Sequence, residues 1–189
     1  MSYALIIGHS FVKRCQRYVI QSKSSMFQLN QYSHVYFHGV GGAKVRTMDN
    51  EMDIIAHLDV KCVILDIGSN DIGDIQVSTW DIAHDILRLA HEIVHKYGAK
   101  VVIMPQFKRV KVTSSLNKHG FNARVDDLNA HLRYLCKQSP NPNITYHVLR
   151  NMWPIWDTLI CKDGVHLTNN GMYRLCRNYR GALVRAYPA

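Results

Sequence analysis

Residues 62–71 read CVILDIGSND, a strand-length and mostly apolar run that ends in a glycine and a group of polar side chains. Apolar runs of this length are typical of strands that are buried on both faces of a sheet. Similar runs occur at residues 4–7, 34–37, 100–104 and 144–149. Together with residues 62–67, they predict the strands of one sheet that other elements cover on both faces.

Helical periodicity fills several of the intervals between these runs. It is clearest over residues 79–97, where apolar residues recur at three- and four-residue spacing. A further helix is expected to begin near Asn122, and a last one to run from about Thr168 to Arg185, with Thr168 or Asn169 as its cap. Alternating strands and helices predict an α/β sandwich with right-handed crossovers.

The composition is that of a globular chain, with 189 residues of which 47% are hydrophobic and 20% are charged. This length fits a single domain over residues 1–189, with enough buried surface to fold unaided. No apolar run approaches the roughly 18 residues of a membrane span, and no basic residue precedes the first one as in a signal peptide. We therefore expect an intracellular, cytoplasmic protein.

The cysteines agree with that expectation. They are odd in number and show no C-x-x-C spacing, which argues against a disulfide framework or a zinc site. We expect free thiols, either buried or incidental, at all of these positions: Cys15, Cys62, Cys136, Cys161 and Cys176.

Glycine-rich and polar motifs follow the first three predicted strands. They are GHS at residues 8–10, GVGGA at 39–43 and GSND at 68–71, while DGVH at 163–166 precedes the last helix. Because ligands of open parallel sheets bind at the carboxyl ends of the strands, these motifs are expected to converge at one edge. A serine, an Asp/His pair and several donors are the groups that acyl transfer requires.

Each motif supplies a different part of that chemistry. A serine hydroxyl such as that of Ser10 needs a base to take its proton, and His166 is the best candidate. Asp163, three residues earlier, is placed to fix the tautomer of His166. The backbone N–H groups of Ser10 and Gly42 and the side-chain amide of Asn70 are candidate donors to the developing oxyanion.

Taken alone, each motif also has an ordinary structural interpretation. A serine after a strand is often a helix cap, and consecutive glycines often mark a turn. GSND alone is consistent with an Asx turn, and DGVH alone with a polar loop. Either Gly41 or Gly42 fits the second motif, and we favour Gly42. The joint occurrence of the motifs, in order and at strand ends, is what favours a catalytic site.

These motifs are similar to the four sequence blocks of the SGNH hydrolase superfamily, the GDSL-type esterases and lipases. The resemblance implies a three-layer α/β/α sandwich with a five-stranded parallel, flavodoxin-like sheet. It also implies a Ser10–His166–Asp163 triad and an oxyanion hole formed by Ser10, Gly42 and Asn70. The implied activity is hydrolysis of small acyl esters, with short chains such as acetyl, and without a cofactor or metal.

The sequence departs from that family at His9, where an aspartate is usual. The change removes no triad member, but we expect it to alter how the nucleophile loop is anchored and how activity depends on pH. Residues 8–11, 39–43 and 163–167 also resemble the esterase domains of animal non-LTR retrotransposon first-open-reading-frame proteins. That narrower resemblance implies acyl-ester or lipid substrates.

Residues 91–95 read HEIVH and match the H-E-x-x-H zinc motif. On a helical wheel, however, His91 and His95 fall outside the apolar arc and are predicted to face solvent. The sequence that follows offers no evident third ligand, since Gly98 and a strand come next. We therefore expect no metal site here.

The longest irregular stretch, residues 105–120, is basic and contains no acid, and we expect either a lid or recognition loop or a solvated excursion. The net charge is +9, although residues 49–92 hold ten acids and only two bases. The remainder is therefore strongly basic, including the last helix with Arg174, Arg177, Arg180 and Arg185. Such a surface suggests a second function, binding of nucleic acid or an anionic membrane.

Overall fold

The computed structural model describes residues 2–112, 114–152 and 156–187. The five predicted runs form one parallel sheet in the order β2-β1-β3-β4-β5. Strand β3 begins two residues before the predicted run, and β5 ends three residues before its predicted end. The strands are β1 (Tyr3–Gly8), β2 (His34–Gly39), β3 (Val60–Asp66), β4 (Lys100–Ile103) and β5 (Ile144–Tyr146).

Six α-helices and two short 3₁₀ helices connect or follow these strands in the described residues. The α-helices are α1 (Ser10–Gln21), α2 (Val45–Met48), α3 (Asp53–Ala56), α4 (Thr79–Tyr97), α5 (Lys118–Gln138) and α6 (Asn169–Ala186). The 3₁₀ helices are Asp49–Glu51 and Trp156–Leu159. None of the helices in the described part of the chain is both long enough and apolar enough to cross a membrane.

The sheet separates two apolar cores, because successive strand residues point to opposite faces. Leu5 and Ile7 of β1 pack with α4 and α5, whereas Ala4 and Ile6 pack with α1 and α6. All four side chains are completely buried. This arrangement confirms the predicted three-layer sandwich.

Helix boundaries follow local capping. Helix α4 has the predicted bounds, and the predicted cap of α6 is confirmed, since the Thr168 hydroxyl accepts a hydrogen bond from the Gly171 N–H. The expected start near Asn122 was wrong by about one turn. The Asn117 side chain accepts from the Gly120 N–H at 2.8 Å, so α5 begins at Lys118.

The expectation of free thiols was wrong for two of the cysteines. Cys15 of α1 and Cys176 of α6 form a disulfide, with their Cα atoms 6.2 Å apart. The two residues are 161 positions apart, and only the packing of α1 against α6 on one face of the sheet brings them together. Cys62, Cys136 and Cys161 are free thiols.

Candidate active site

The candidate nucleophile lies where β1 passes into α1. Ser10 is the first residue of α1, and its backbone N–H has no acceptor within the described residues. Gly8 lies two residues before Ser10, and a Cβ at this position would overlap the carbonyl of Asp66 on β3. A glycine is therefore required for β1 to end this close to β3, and Ser10 is left at the carboxyl edge of the sheet.

His9 is buried and holds this turn in place. Its Nδ1 accepts a hydrogen bond from the Phe11 N–H at 3.4 Å, which makes His9 the N-cap of α1. Its Nε2 lies 3.3 Å from Oδ1 of Asp66, although the two groups are not aligned as a hydrogen bond. Asp66 also accepts hydrogen bonds from the Tyr179 hydroxyl and, at 3.5 Å, from Nε2 of Gln106. His9, Asp66, Gln106 and Tyr179 thus form a buried polar cluster beneath the nucleophile turn. The expected change in loop anchoring relative to an aspartate stays a prediction.

The glycine loop after β2 joins the nucleophile turn to the GSND motif. The Val40 N–H donates to the Gly8 carbonyl at 2.9 Å, and the carboxylate of Asp71 accepts from the Val45 N–H at 3.2 Å. Between these anchors, the N–H groups of Gly41 and Gly42 have no acceptor in the part of the chain that the structure describes. Both glycines are exposed, so their N–H groups are available to a ligand.

Asn70 completes this cluster of donors, and its orientation is fixed. Its Nδ2 donates one hydrogen bond to the Ala43 carbonyl at 2.9 Å, which leaves a second N–H for a ligand. Its Oδ1 accepts from Nη2 of Arg109 at 3.2 Å, and the same nitrogen lies 3.1 Å from both the carbonyl and the hydroxyl of Ser69. Because a guanidinium can only donate, Arg109 keeps the Asn70 oxygen turned toward itself.

Arg109 was missed at the level of sequence. Its guanidinium packs over the Phe121 ring at 4.7 Å, and its burial lowers its pKa. The backbone N–H and carbonyl of Arg109 pair with the side-chain amide of Asn122 at 2.9 and 3.0 Å. The only sequence signal was a basic residue within a long loop, which does not identify its partner.

The DGVH loop holds an acid–base pair. Nδ1 of His166 lies 2.8 Å from Oδ2 of Asp163, whose Oδ1 accepts from the N–H groups of Val165 and His166, each at 2.9 Å. Burial raises the pKa of Asp163, but these backbone and side-chain hydrogen bonds outweigh it and hold the pKa at about 2. Asp163 is therefore ionised at neutral pH, and Nε2 of His166 is left for another group.

Residues 105–117, which precede α5, support that loop through backbone hydrogen bonds. Within this stretch, position 113 lies outside the described residues. The Gly164 carbonyl accepts from the N–H groups of Val110 and Lys111 at 2.8 and 3.0 Å. Gly164 has φ +75°, and a Cβ there would overlap the backbone and side chain of Lys111. Gln106 and Phe107 at the start of the segment are buried, whereas Lys111, Ser115 and Asn117 are exposed, so a role as a lid or recognition loop stays a prediction.

The two parts of the site meet through Phe11. The His166 ring lies against Phe11 in a T-shaped arrangement, with 6.2 Å between centroids, and Phe11 directly follows Ser10. Within the described residues, no hydrogen bond joins the Ser10 hydroxyl to His166. Such bonds are often long in enzymes without substrate and tighten when substrate binds.

A shallow depression of about 460 Å³ adjoins Asn70. The exposed side chain of Ile75 contributes to its wall, and most of the remaining lining is polar. The polar lining includes Lys44, Asn70, Asp74, Arg109, Ser114 and Ser115.

The H-E-x-x-H motif lies on α4, away from the strand ends that carry the candidate site. His95 is exposed and His91 is half-buried. In the described ranges, no group of three or more His, Cys, Asp or Glu side chains is arranged to hold a metal ion.

The chain belongs to the GDSL-like lipase/acylhydrolase family, the GDSL/SGNH hydrolases, whose model matches residues 10–174. No curated protein sequence matches the chain. Among solved structures, a GDSL-like lipase from Bacteroides thetaiotaomicron superposes with a TM-score of 0.74 at 17% identity, covering 97% of this chain and 88% of that one. An acetyl-xylooligosaccharide esterase mutant from Geobacillus gives a TM-score of 0.71 at 16% identity, covering 99% and 94%. These similarities show the fold, and the narrower resemblance to retrotransposon esterase domains stays a prediction.

Proposed function

We propose that the protein is a serine esterase that hydrolyses small acyl esters through an acyl-enzyme. The observation that carries this proposal is the convergence of Ser10, the Asp163–His166 pair and a set of donors that each retain a free N–H at one edge of the sheet. An ionised Asp163 bound to Nδ1 keeps the lone pair of His166 on Nε2, the nitrogen that faces away from the aspartate.

In the proposed reaction, the Ser10 hydroxyl attacks the ester carbonyl carbon while His166 takes its proton. The carbonyl oxygen becomes an oxyanion that accepts hydrogen bonds from the N–H groups of Ser10 and Gly42 and from Asn70. The intermediate collapses with departure of the alcohol, which receives the proton from His166. Water, deprotonated by His166, then attacks the acyl-enzyme and releases the carboxylic acid and Ser10.

We further propose that the acyl group is short, such as acetyl. The depression beside Asn70 is shallow and mostly polar, and a long hydrocarbon chain would gain little from such a lining. A catalytic mutant of an acetylxylan esterase from Geobacillus stearothermophilus shares the fold with a TM-score of 0.68 at 15% identity. The acetyl ester named for that enzyme supports the proposal of a short acyl group.

The test is a panel of p-nitrophenyl esters of increasing acyl length, assayed with the wild type, Ser10→Ala and His166→Ala. We expect the wild type to prefer acetyl or propionyl, and each variant to lose on the order of 10⁴-fold or more in kcat because the groups act as a unit. Circular dichroism and thermal unfolding should show folded variants. Unchanged turnover by folded Ser10→Ala would refute the serine mechanism, while a preference for long chains would refute only the short-acyl proposal.

A further inference from the structure

A groove of about 700 Å³ runs along α6 and the segment that follows β5, and the proposed esterase mechanism does not use it. It is lined by five arginines, four of them exposed and Arg174 half-buried. We call it the arginine groove. The arginines are Arg150, Arg174, Arg177, Arg180 and Arg185.

The positive charge of this groove is not neutralised by the protein. Among the ion pairs of residues 2–112, 114–152 and 156–187, none includes an arginine of the groove. Several of these side chains instead bond to neutral groups: Arg174 donates to the Asn151 carbonyl, and Arg180 to the Met26 carbonyl at 3.1 Å. Five cations in one concave surface, without carboxylates, favour an anionic ligand.

Buried polar side chains hold part of the groove in place. Asn178, which is 5% exposed, accepts from the Arg150 N–H at 2.8 Å and donates to the carbonyls of Arg150 and Arg174. His147, 3% exposed, donates from Nε2 to Asn178 and accepts on Nδ1 from Nη2 of Arg185 at 2.6 Å. Burial lowers the pKa of His147 to about 4, so the ring is neutral and can accept from Arg185. The groove is therefore organised before any ligand arrives.

The shape of the cationic row selects among anions. Arg174 and Arg185 are eleven residues apart on α6, or about 16 Å at 1.5 Å per residue, which is too long for one phosphate group. Guanidinium groups match phosphate oxygens in paired hydrogen bonds. Tyr173 is 40% exposed beside this row and lies 5.8 Å from the Arg177 guanidinium. Proteins that bind single-stranded nucleic acids combine a row of phosphate-binding groups with exposed aromatic rings in this way.

We propose that the arginine groove binds the phosphate backbone of a single-stranded nucleic acid, for which RNA serves as the probe, with Tyr173 as a stacking surface for a base. A lipid surface fits less well, because the arginines line a concave groove and a bilayer is flat. None of the candidate catalytic residues is among those that line the groove. RNA binding and ester hydrolysis are therefore expected to fail independently.

The first test is fluorescence anisotropy of a labelled 12-nucleotide oligouridylate with the full chain, titrated between 50 and 300 mM KCl. Each phosphate contact to a single strand contributes a slope of about −0.7 to the plot of the logarithm of the association constant against the logarithm of the KCl concentration. If all five arginines contact phosphates, the slope should therefore be about −3.5. No detectable binding at 50 mM KCl would overturn the proposal.

The second test uses the double variant Arg150→Glu/Arg177→Glu, whose side chains are exposed, against the charge-matched control Lys96→Glu/Lys118→Glu on the opposite face of the sheet. We expect the groove variant to weaken RNA binding at least tenfold and to reduce the slope by about 1.4, which is two contacts. Equal loss in both variants would overturn the proposal, since net charge alone would explain it. Groove-dependent binding to phosphatidylcholine/phosphatidylserine vesicles without RNA binding would also overturn it.

Discussion

The two halves of the candidate site are built in different ways. The donor half, with Ser10, the glycine loop and Asn70, follows three adjacent strands and is bonded directly to the sheet. The acid–base half, Asp163 and His166, follows no strand, and its Gly164 carbonyl bonds to residues 110 and 111. The sheet therefore sets the geometry of the donor half. The geometry of the acid–base half depends in part on residues 105–117, which bond to the Gly164 carbonyl.

This difference makes residues 105–117 more important than their irregular structure suggests. Arg109 in this segment fixes the Asn70 amide, and two residues later Lys111 bonds to the acid–base loop. On the other side, the side-chain amides of Asn122 and Asn129 each pair with backbone groups of the segment, at Arg109 and Gln106. The segment thus links both halves of the site to α5.

Among the substitutions that distinguish the two halves of the site, we expect the largest loss of kcat from one in the donor half. Asn70→Ala should lower kcat toward a short ester by about 100- to 1000-fold, because one oxyanion donor is lost. Arg109→Ala should lower it by about 10- to 100-fold, because Arg109 orients the Asn70 amide.

A double-mutant cycle sharpens this prediction. If Arg109 works through Asn70, the double variant should be no slower than Asn70→Ala alone. Steady-state kinetics of the four proteins measure the cycle. Additive losses would show that Arg109 contributes independently of Asn70.

A smaller effect is expected from the connection to the acid–base half. Gly164→Ala should lower kcat about tenfold, because its Cβ would push the loop away from Lys111 and shift His166. The matched control is Gly98→Ala, since Gly98 also has a positive φ of +67° but has open space around it and lies at the end of α4. Both variants should lose stability, by about 1 kcal/mol from backbone strain alone, measured by urea unfolding. Full activity in folded Gly164→Ala would show that the connection does not position the base.

The smallest effect concerns stability and not turnover. Burial raises the pKa of Asp71 to about 6, although the Val45 N–H opposes the shift. Because the folded pKa exceeds the unfolded one, the contribution of Asp71 to stability is greatest below about pH 4 and is lost as the pH rises through 6. We expect the stability of Asp71→Asn relative to the wild type to increase by on the order of 2–3 kcal/mol between pH 4 and 7.

Urea unfolding of both proteins at pH 4, 5, 6 and 7 measures this effect. A difference that stays constant over this range would contradict the raised pKa. The contribution of Asp163 to stability has the opposite pH dependence, because hydrogen bonds outweigh burial and hold the pKa of this carboxyl at about 2. Its contribution is present above about pH 4 and is lost as the pH falls toward 2.

Sequence reasoning was most successful where function depends on residues close together in the chain. The pair Asp163 and His166 lies within four positions, so its hydrogen bond follows from one turn. The motifs after β1, β2 and β3 could be assigned to one edge because parallel strands end together. The roles of these residues in catalysis, and the single domain over residues 1–189, stay predictions.

Residues that act over long sequence separations were missed. Asp66 was an acidic residue inside an apolar strand, which was a signal of a buried polar partner, but nothing identified Tyr179, 113 positions away. The arginines of α6 were recognised as a basic stretch, whereas the groove that contains them depends on Asn178 and His147. Pairings of this kind depend on which helices pack on the same face.

The sequence alone therefore determined the strand–helix alternation, the four motifs and their order, because periodicity and turn chemistry are local properties. Tertiary structure decided the Cys15–Cys176 disulfide, the support of Asn70 by Arg109 and the attachment of the acid–base loop at Gly164. The physical reason is the same in each case. These contacts form between segments that are distant in the chain. Sequence periodicity does not indicate which of these segments pack together when helices cover both faces of the sheet.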